Sequence, residues 1–310
     1  MTTPSTPAPH SPTSQSGTIG LIGCGLMGHG IAKNLCLAGH ALTVLEHPGN
    51  RPCDDLVALG VRMSNDLQTV CHGQDAVFLV LPGSPEVDAV VRADSGLLTH
   101  VTPGTLIIDA TTAEPLETLK IAAAIRAQGC AYVDAPMTRT PKEAETGRLN
   151  VLMGGSDSDV ARAKLYIQAY AEHISHGGPV GAGHRLKLLH NFVSISQAVV
   201  IAEAIAAADQ GGVDVTVLCD VLANGGAGGA ALERLRPYGE RQDASHFQFA
   251  VRNAAKDLLY YTRQVQAQGT QSSTAQTVHR ILAEVSQNPE HAGAVIPQLI
   301  DIFKAQKTSP

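Results

Sequence analysis

Two groups of residues in this 310-residue chain have types and spacing suited to chemistry. The first is Gly23-Cys24-Gly25-Leu26-Met27-Gly28, a GxGxxG that directly follows the apolar run Thr18–Ile22 and opens a helix-like segment, Met27–Ala38. In that setting the first glycine permits a tight turn and the second lets the backbone approach a pyrophosphate. The third allows close helix packing, and the helix N-terminus turns its N–H groups toward phosphate oxygens. About 20 residues later Glu46 ends the next apolar run, where a carboxylate can bond the hydroxyls of an adenosine ribose. That carboxylate would repel a 2′-phosphate, so the pattern favours NAD over NADP, while Arg51 and His47 leave NADP open.

The second group is Lys187, His190, Asn191 and Ser194, spaced i, i+3, i+4 and i+7 so that they line one face of an otherwise apolar helix. Two readings stand side by side. The stripe is either a solvated face or the wall of a cleft, since it begins where the chain leaves its first domain and domain junctions commonly form active sites.

The elements that must position these residues fall into two kinds. From Gly17 to about Gly178, the runs Thr18–Ile22, Ala41–Glu46, Asp75–Leu81, Thr105–Asp109, Ala131–Asp134 and Leu149–Met153 read as strands. They alternate with helical segments such as Glu114–Gln128, for which Thr112 is the expected N-cap. This predicts an α/β chain whose N-terminal, Rossmann-type doubly wound sheet spans residues 17–180. From His184 the sequence reads as helix throughout, beginning with a Pro- and Gly-free stretch of about 28 residues that ends at Gly211. An all-helical domain over 181–310, joined by that long helix, is the expectation. Residues 1–16, rich in Ser, Thr and Pro, read as a disordered tail.

Composition narrows the function. A formal net charge of −6 and the lack of a dense Lys/Arg run argue against nucleic acid. Six scattered cysteines with no CxxC pair argue against a disulfide framework or a metal site, and fit buried thiols in a reducing, cytoplasmic setting. No uninterrupted apolar run of about 18 residues appears, so no membrane span is expected.

Four motifs, in order and spacing, resemble those of the β-hydroxyacid dehydrogenases: Gly20–Leu35 around the glycine loop; Asp134-Ala135-Pro136-Met137-Thr138-Arg139-Thr140; the Gly183, Lys187, Asn191 pattern; and Lys256-Asp257-Leu258. The family includes 3-hydroxyisobutyrate dehydrogenase and carries a C-terminal domain like that of 6-phosphogluconate dehydrogenase. The resemblance implies an NAD(P)-dependent oxidoreductase that moves a hydride between nicotinamide and a small 3-hydroxy acid or its semialdehyde. It also implies Lys187 as general acid/base, with Asn191 holding substrate and lysine in register. Proton transfer by a lysine is reasonable where burial and a nearby positive charge lower its pKa. Leu81, Pro82, Thr112 and Lys256 are implied cofactor contacts, Asp257 a structural residue, and a homodimer or homotetramer the implied assembly.

The chain departs from the family where most relatives carry Ser-Gly-Gly, a backbone cradle for the substrate carboxylate. Here Thr138, Arg139 and Thr140 stand. An Arg-Thr pair is similar to the sulfolactaldehyde reductase branch, and a guanidinium can grip a carboxylate or sulfonate with two bonds. Against the sulfonate reading, that branch resembles Asn-Asn where this chain has His190-Asn191; His190 could bond an oxyanion or simply pack, and Ser194 is a further candidate substrate contact. The expected partner is therefore a small anionic substrate, with sulfolactaldehyde or succinic semialdehyde reduction as the alternative. A non-catalytic nucleotide-binding protein on the same fold and an imine reductase are the rivals from other classes.

Overall fold

The run Thr18–Ile22 forms the central strand of a parallel sheet, and the computed structural model, which describes residues 16–305, follows the chain outward from it. Strands β1 (Thr18–Ile22), β2 (Ala41–Leu45), β3 (Arg62–Ser64), β4 (Ala76–Leu79), β5 (Leu106–Asp109) and β6 (Ala131–Asp134) pair in parallel in the order β3-β2-β1-β4-β5-β6. This is a Rossmann-type, doubly wound sheet. Every residue of β4 and β5 is buried, as expected of strands covered by helices on both faces. On one face Ile31 and Leu35 of the helix Gly28–Leu37 pack with Leu21, Val44 and Phe78. On the other, Val87, Val91, Ile121 and Ile125 pack with Val77, Leu79 and Ile107. The expected tail lies outside the described residues except for Ser16.

Two expectations about the N-terminal domain need correction. Leu149–Met153 is a strand, β8, but it does not join the parallel sheet. With β7 (Met137–Thr138), which pairs antiparallel to it, and β9 (Ala171–His176), which pairs parallel, it forms a separate three-stranded sheet. The helix predicted over Glu114–Gln128 runs Pro115–Ala127, and its N-cap is Glu114 rather than Thr112. Ser84 Oγ accepts the Glu114 N–H at 2.7 Å, so a hydroxyl from the first residue of the helix Ser84–Arg92 serves the terminus.

The chain divides into two units, one up to His184 and one from Arg185. In the second, Ile195, Ala198, Val199, Ala202 and Ile205 of the long helix Ala182–Gln210 build a core with Leu232, Leu235, Ala254, Leu258, Leu282 and Leu299. The other helices there are Val215–Asn224, Ala230–Arg241, Val251–Ala267, Ser273–Gln287 and Leu299–Ala305. At 29 residues the long helix is apolar enough to cross a membrane by length and composition, contrary to the expectation. Its burial of one face in that core is instead what a globular helical unit requires.

Candidate functional site

In the first unit the glycine loop lies beyond the carboxyl end of β1, and each glycine has a separate cause. A Cβ on Gly23, whose φ is +102°, would lie 2.2 Å from the Val80 carbonyl oxygen; one on Gly28 would lie 1.9 Å from that of Gly23. These two are fixed by packing. Around Gly25, by contrast, a Cβ would meet nothing within 4 Å, which leaves the room a phosphate needs to reach the backbone. The helix Gly28–Leu37 starts at Met27 with no side-chain cap; the His29 N–H is taken by the Gly25 carbonyl at 3.0 Å, and the terminus as a whole presents the positive end of the helix to such a ligand. The residues present therefore fit a dinucleotide pyrophosphate. Leu26 is exposed and Met27 half-buried beside them.

Three polar residues shape the rest of this seat. Asn50 accepts the Cys24 N–H at 3.1 Å and donates to the Leu45 carbonyl at 2.9 Å, while the Arg51 N–H reaches the Cys24 carbonyl at 2.9 Å. The segment after β2 is thus clasped to the glycine loop, with Glu46 exposed at its start. Thr111 Oγ1 accepts the Leu81 N–H at 3.1 Å and ties the ends of β4 and β5 together. Pro82 is exposed and Thr112 half-buried in those two loops. Sequence reasoning passed over Asn50 and Thr111; a turn-forming Asn after Pro48-Gly49 is the one signal that pointed to the former. The Arg51 guanidinium pairs with Glu145 at 2.9 Å, and His47 Nδ1 accepts the Gly49 N–H at 3.0 Å.

The Asp134–Thr140 motif also lies in the first unit. Asp134, fully buried, accepts the N–H of Gly181 at 2.7 Å and of His184 at 2.9 Å, fixing the start of the long helix. Burial raises its pKa, and the bonds it accepts oppose that. Thr138 is buried in β7 opposite Asn150. Thr140 forms a capping box with Glu143 for the helix Pro141–Glu145. Arg139 has φ +79°, a left-handed conformation that suits glycine, and its guanidinium donates to the Glu172 carboxylate and the Arg148 carbonyl. The fork expected to face an anion already has a carboxylate partner. An anionic substrate would have to compete with Glu172. Arg139→Ala should therefore change the KM for anionic substrates less than tenfold, a much smaller effect than loss of a free anion clamp; initial-rate kinetics on the variant check this.

In the second unit, two helices bring the other constellation together. Asn191, nearly buried on the long helix, donates from Nδ2 to Asp257 Oδ2 on the helix Val251–Ala267 at 2.7 Å. Phe192 stacks on Tyr261 with ring centroids 4.5 Å apart, pinning the same two helices one residue along. Because the Asn191 amide gives its N–H to a carboxylate, its Oδ1 must accept, and His190 Nδ1 donates to it at 3.0 Å. The stripe is therefore no solvated face: Asn191 is buried, Lys187 and Ser194 are half-buried, and His190 alone is exposed. The Asp257 carboxylate also pairs with Lys256 Nζ at 3.2 Å, and that ammonium lies 5.2 Å over the Tyr260 ring. Burial lowers the Lys187 pKa to about 8; Asp257 opposes this shift and Lys256 adds to it. Asp257, expected to be structural, thus bonds Asn191 and tunes Lys187 through its charge.

Comparison with known proteins extends across this arrangement. A model of the NAD binding domain of 6-phosphogluconate dehydrogenase matches residues 18–178, and one of the NAD-binding domain of NADP-dependent 3-hydroxyisobutyrate dehydrogenase matches residues 181–296. An NAD-dependent L-serine dehydrogenase from Pseudomonas aeruginosa is 31% identical over 93% of this chain and 99% of its own. A 3-hydroxyisobutyrate dehydrogenase from the same organism is 29% identical over the same shares. Among solved structures, Mycobacterium tuberculosis 3-hydroxyisobutyrate dehydrogenase with L-serine superposes with a TM-score of 0.83 at 26% identity, covering 94% of this chain and 100% of that one.

Proposed function

This chain belongs to the β-hydroxyacid dehydrogenase family of NAD(P)-dependent oxidoreductases, and from that premise we propose that it oxidises the 3-hydroxyl of a small 3-hydroxy acid reversibly, with Lys187 moving the proton. The observation that carries this reading is a lysine with its pKa near 8, one turn before Asn191, whose amide bonds the buried Asp257 of the facing helix Val251–Ala267. Bound NAD(P)+ supplies the hydride acceptor. As the hydride leaves the alcohol carbon, the neutral Lys187 amine takes the hydroxyl proton; in reverse, the ammonium protonates the carbonyl oxygen. Asn191, its amide fixed at both ends, contributes orientation. An amine of pKa about 8 is mostly charged at pH 7, so reduction is favoured there and oxidation gains as pH rises.

The test is a rate measurement at 340 nm with L-serine and 3-hydroxyisobutyrate in the oxidative direction. Succinic, methylmalonic and tartronic semialdehydes and sulfolactaldehyde are the reductive substrates. Turnover of a carboxylate substrate is expected; preference for sulfolactaldehyde would move the chain to the sulfonate branch. Absence of hydride transfer with every compound would leave a non-catalytic dinucleotide-binding protein. We further propose NAD as the preferred cofactor, since Glu46 is exposed directly after β2, a position from which a carboxylate disfavours a 2′-phosphate, and Arg51 is engaged by Glu145. Glu46→Ser should cut the NADH-over-NADPH preference in kcat/KM by about tenfold or more, one unpaired charge contact being worth roughly that much.

The assembly we propose is a homodimer or homotetramer. Leu189, Val193 and Val200 stand 45%, 61% and 63% exposed on the long helix, and Val217 and Val221 55% and 63% on Val215–Asn224. Apolar side chains repeated at helical spacing on neighbouring segments fit a second copy of the chain better than solvent. Val193→Glu with Val200→Glu should yield monomers by light scattering; an unchanged mass would remove this face from the interface. We propose a cytoplasmic setting, because the six free thiols fit a reducing compartment.

A further inference from the structure

Cys24 lies between the first two glycines of the loop, and Cys53 precedes the helix Asp54–Ala58. Their sulfurs are 3.6 Å apart, and the Cys53 thiol also donates to the Arg51 carbonyl at 3.1 Å, a contact it must leave for a bond to Cys24 to form. We propose that Cys24 and Cys53 are a reversible modification site, in which a small hydroperoxide joins the two thiols as a disulfide and thereby weakens dinucleotide binding. A disulfide has an S–S length of about 2.05 Å, so the sulfurs need to close by roughly 1.5 Å.

The two thiols are unequal. Cys24 is buried, and its burial together with the neighbouring Cys53 and Asp55 holds its thiol neutral far above the usual range. Cys53 is partly exposed and so meets the oxidant first. Its sulfur attacks the peroxide O–O bond, giving a sulfenic acid and an alcohol, with the thiol proton passing to the departing oxygen. The Cys24 sulfur then displaces the sulfenic hydroxyl, its own proton leaving in the water formed. Two thiols and one hydroperoxide thus become one disulfide, one alcohol and one water, and the two electrons lost by sulfur reduce the O–O bond.

The consequence follows from what the bond would join. Cys24 already clasps Asn50 and Arg51 through its backbone, so the disulfide links the glycine loop covalently to the segment that begins with Glu46. Drawing those segments together moves the Cys24 backbone and disturbs the geometry beside Gly25. This coupling rests on the reading of the loop as the cofactor seat; formation of the bond itself does not.

The experiment treats the reduced full-length protein with hydrogen peroxide, maps its peptides by mass spectrometry, and follows NADH binding by fluorescence. A Cys24–Cys53 linked peptide 2 Da lighter than its reduced parts is expected, with the Kd for NADH raised about tenfold or more, near 1.4 kcal/mol, and both changes reversed by dithiothreitol. Cys53→Ser should bind NADH as the reduced wild type does and lose nothing on peroxide treatment. Overoxidised Cys53 with no linked peptide would overturn the proposal, as would a linked protein whose Kd stays within twofold. If the reduced protein binds no NADH at all, the cofactor reading fails, and the linked peptide alone then decides the thiol pair.

Discussion

Lys187→Met is expected to lower kcat in both directions by about 10²- to 10⁴-fold, the usual contribution of a positioned acid or base, while leaving NADH affinity within a fewfold. The same substitution should stabilise the fold. The folded-state pKa of about 8 lies below the ordinary 10.5, so the charged amine is penalised in the native state. Native stability is therefore greatest above the unfolded value and is lost as pH falls through 8. A difference of this size corresponds to at most roughly 3 kcal/mol at neutral pH, which a methionine would recover by removing the charge. Thermal melts at pH 7 and pH 10 check it: the stabilisation should be larger at pH 7. A variant with near-normal turnover would end the proposed role, whatever its melting temperature.

Asp257→Asn is the second change with a large expected effect. It removes the charge that raises the Lys187 pKa but leaves Lys256, which lowers it, so the pKa of Lys187 should fall below 8. The inflection in oxidation, where rate rises with pH as the amine is freed, should move to lower pH. The limb on which reduction declines should move the same way. Neutralising the acceptor also weakens the bond that fixes Asn191; a hydrogen bond to a charged group is worth roughly 1.5–3 kcal/mol, so kcat should fall about 10- to 100-fold. A pH–rate profile distinguishes this positioning role from a purely structural one, because a merely loosened fold would lower activity without displacing the inflection.

Much of this machinery was legible before any coordinates. The glycine loop declared itself because its spacing follows a strand and opens a helix, with Gly23 and Gly28 required by packing and Gly25 left open, and β1, β6 and β8 were read with the bounds they have. What the chain conceals depends on partners far along it. Leu149–Met153 carries a strand's apolar pattern, but nothing in those five residues says that they pair with Met137–Thr138 and Ala171–His176 instead of the parallel sheet. β9, Ala-Glu-His-Ile-Ser-His, is largely exposed and polar, and so lacks the apolar alternation by which strands are recognised. Asp257 has the composition of a surface helix residue; its burial follows from Asn191, 66 positions earlier, coming to meet it. Thr112 looks like a cap until Ser84, at the start of another helix, is seen to take the Glu114 N–H.

The left-handed turn at Arg139 bears on how such a site can change. A non-glycine residue at φ +79° costs on the order of 1–2 kcal/mol, and here the bond to Glu172 helps to offset it. Glycine and arginine codons differ by a single base, so one mutational step exchanges a bare backbone for a charged fork while the path of the chain stays as it was. Position 139 can thus sample new side chains without the loop having to be rebuilt, and reversion to glycine relieves strain rather than creating it. A lineage with such a turn can change the charge at this position cheaply and can also retreat.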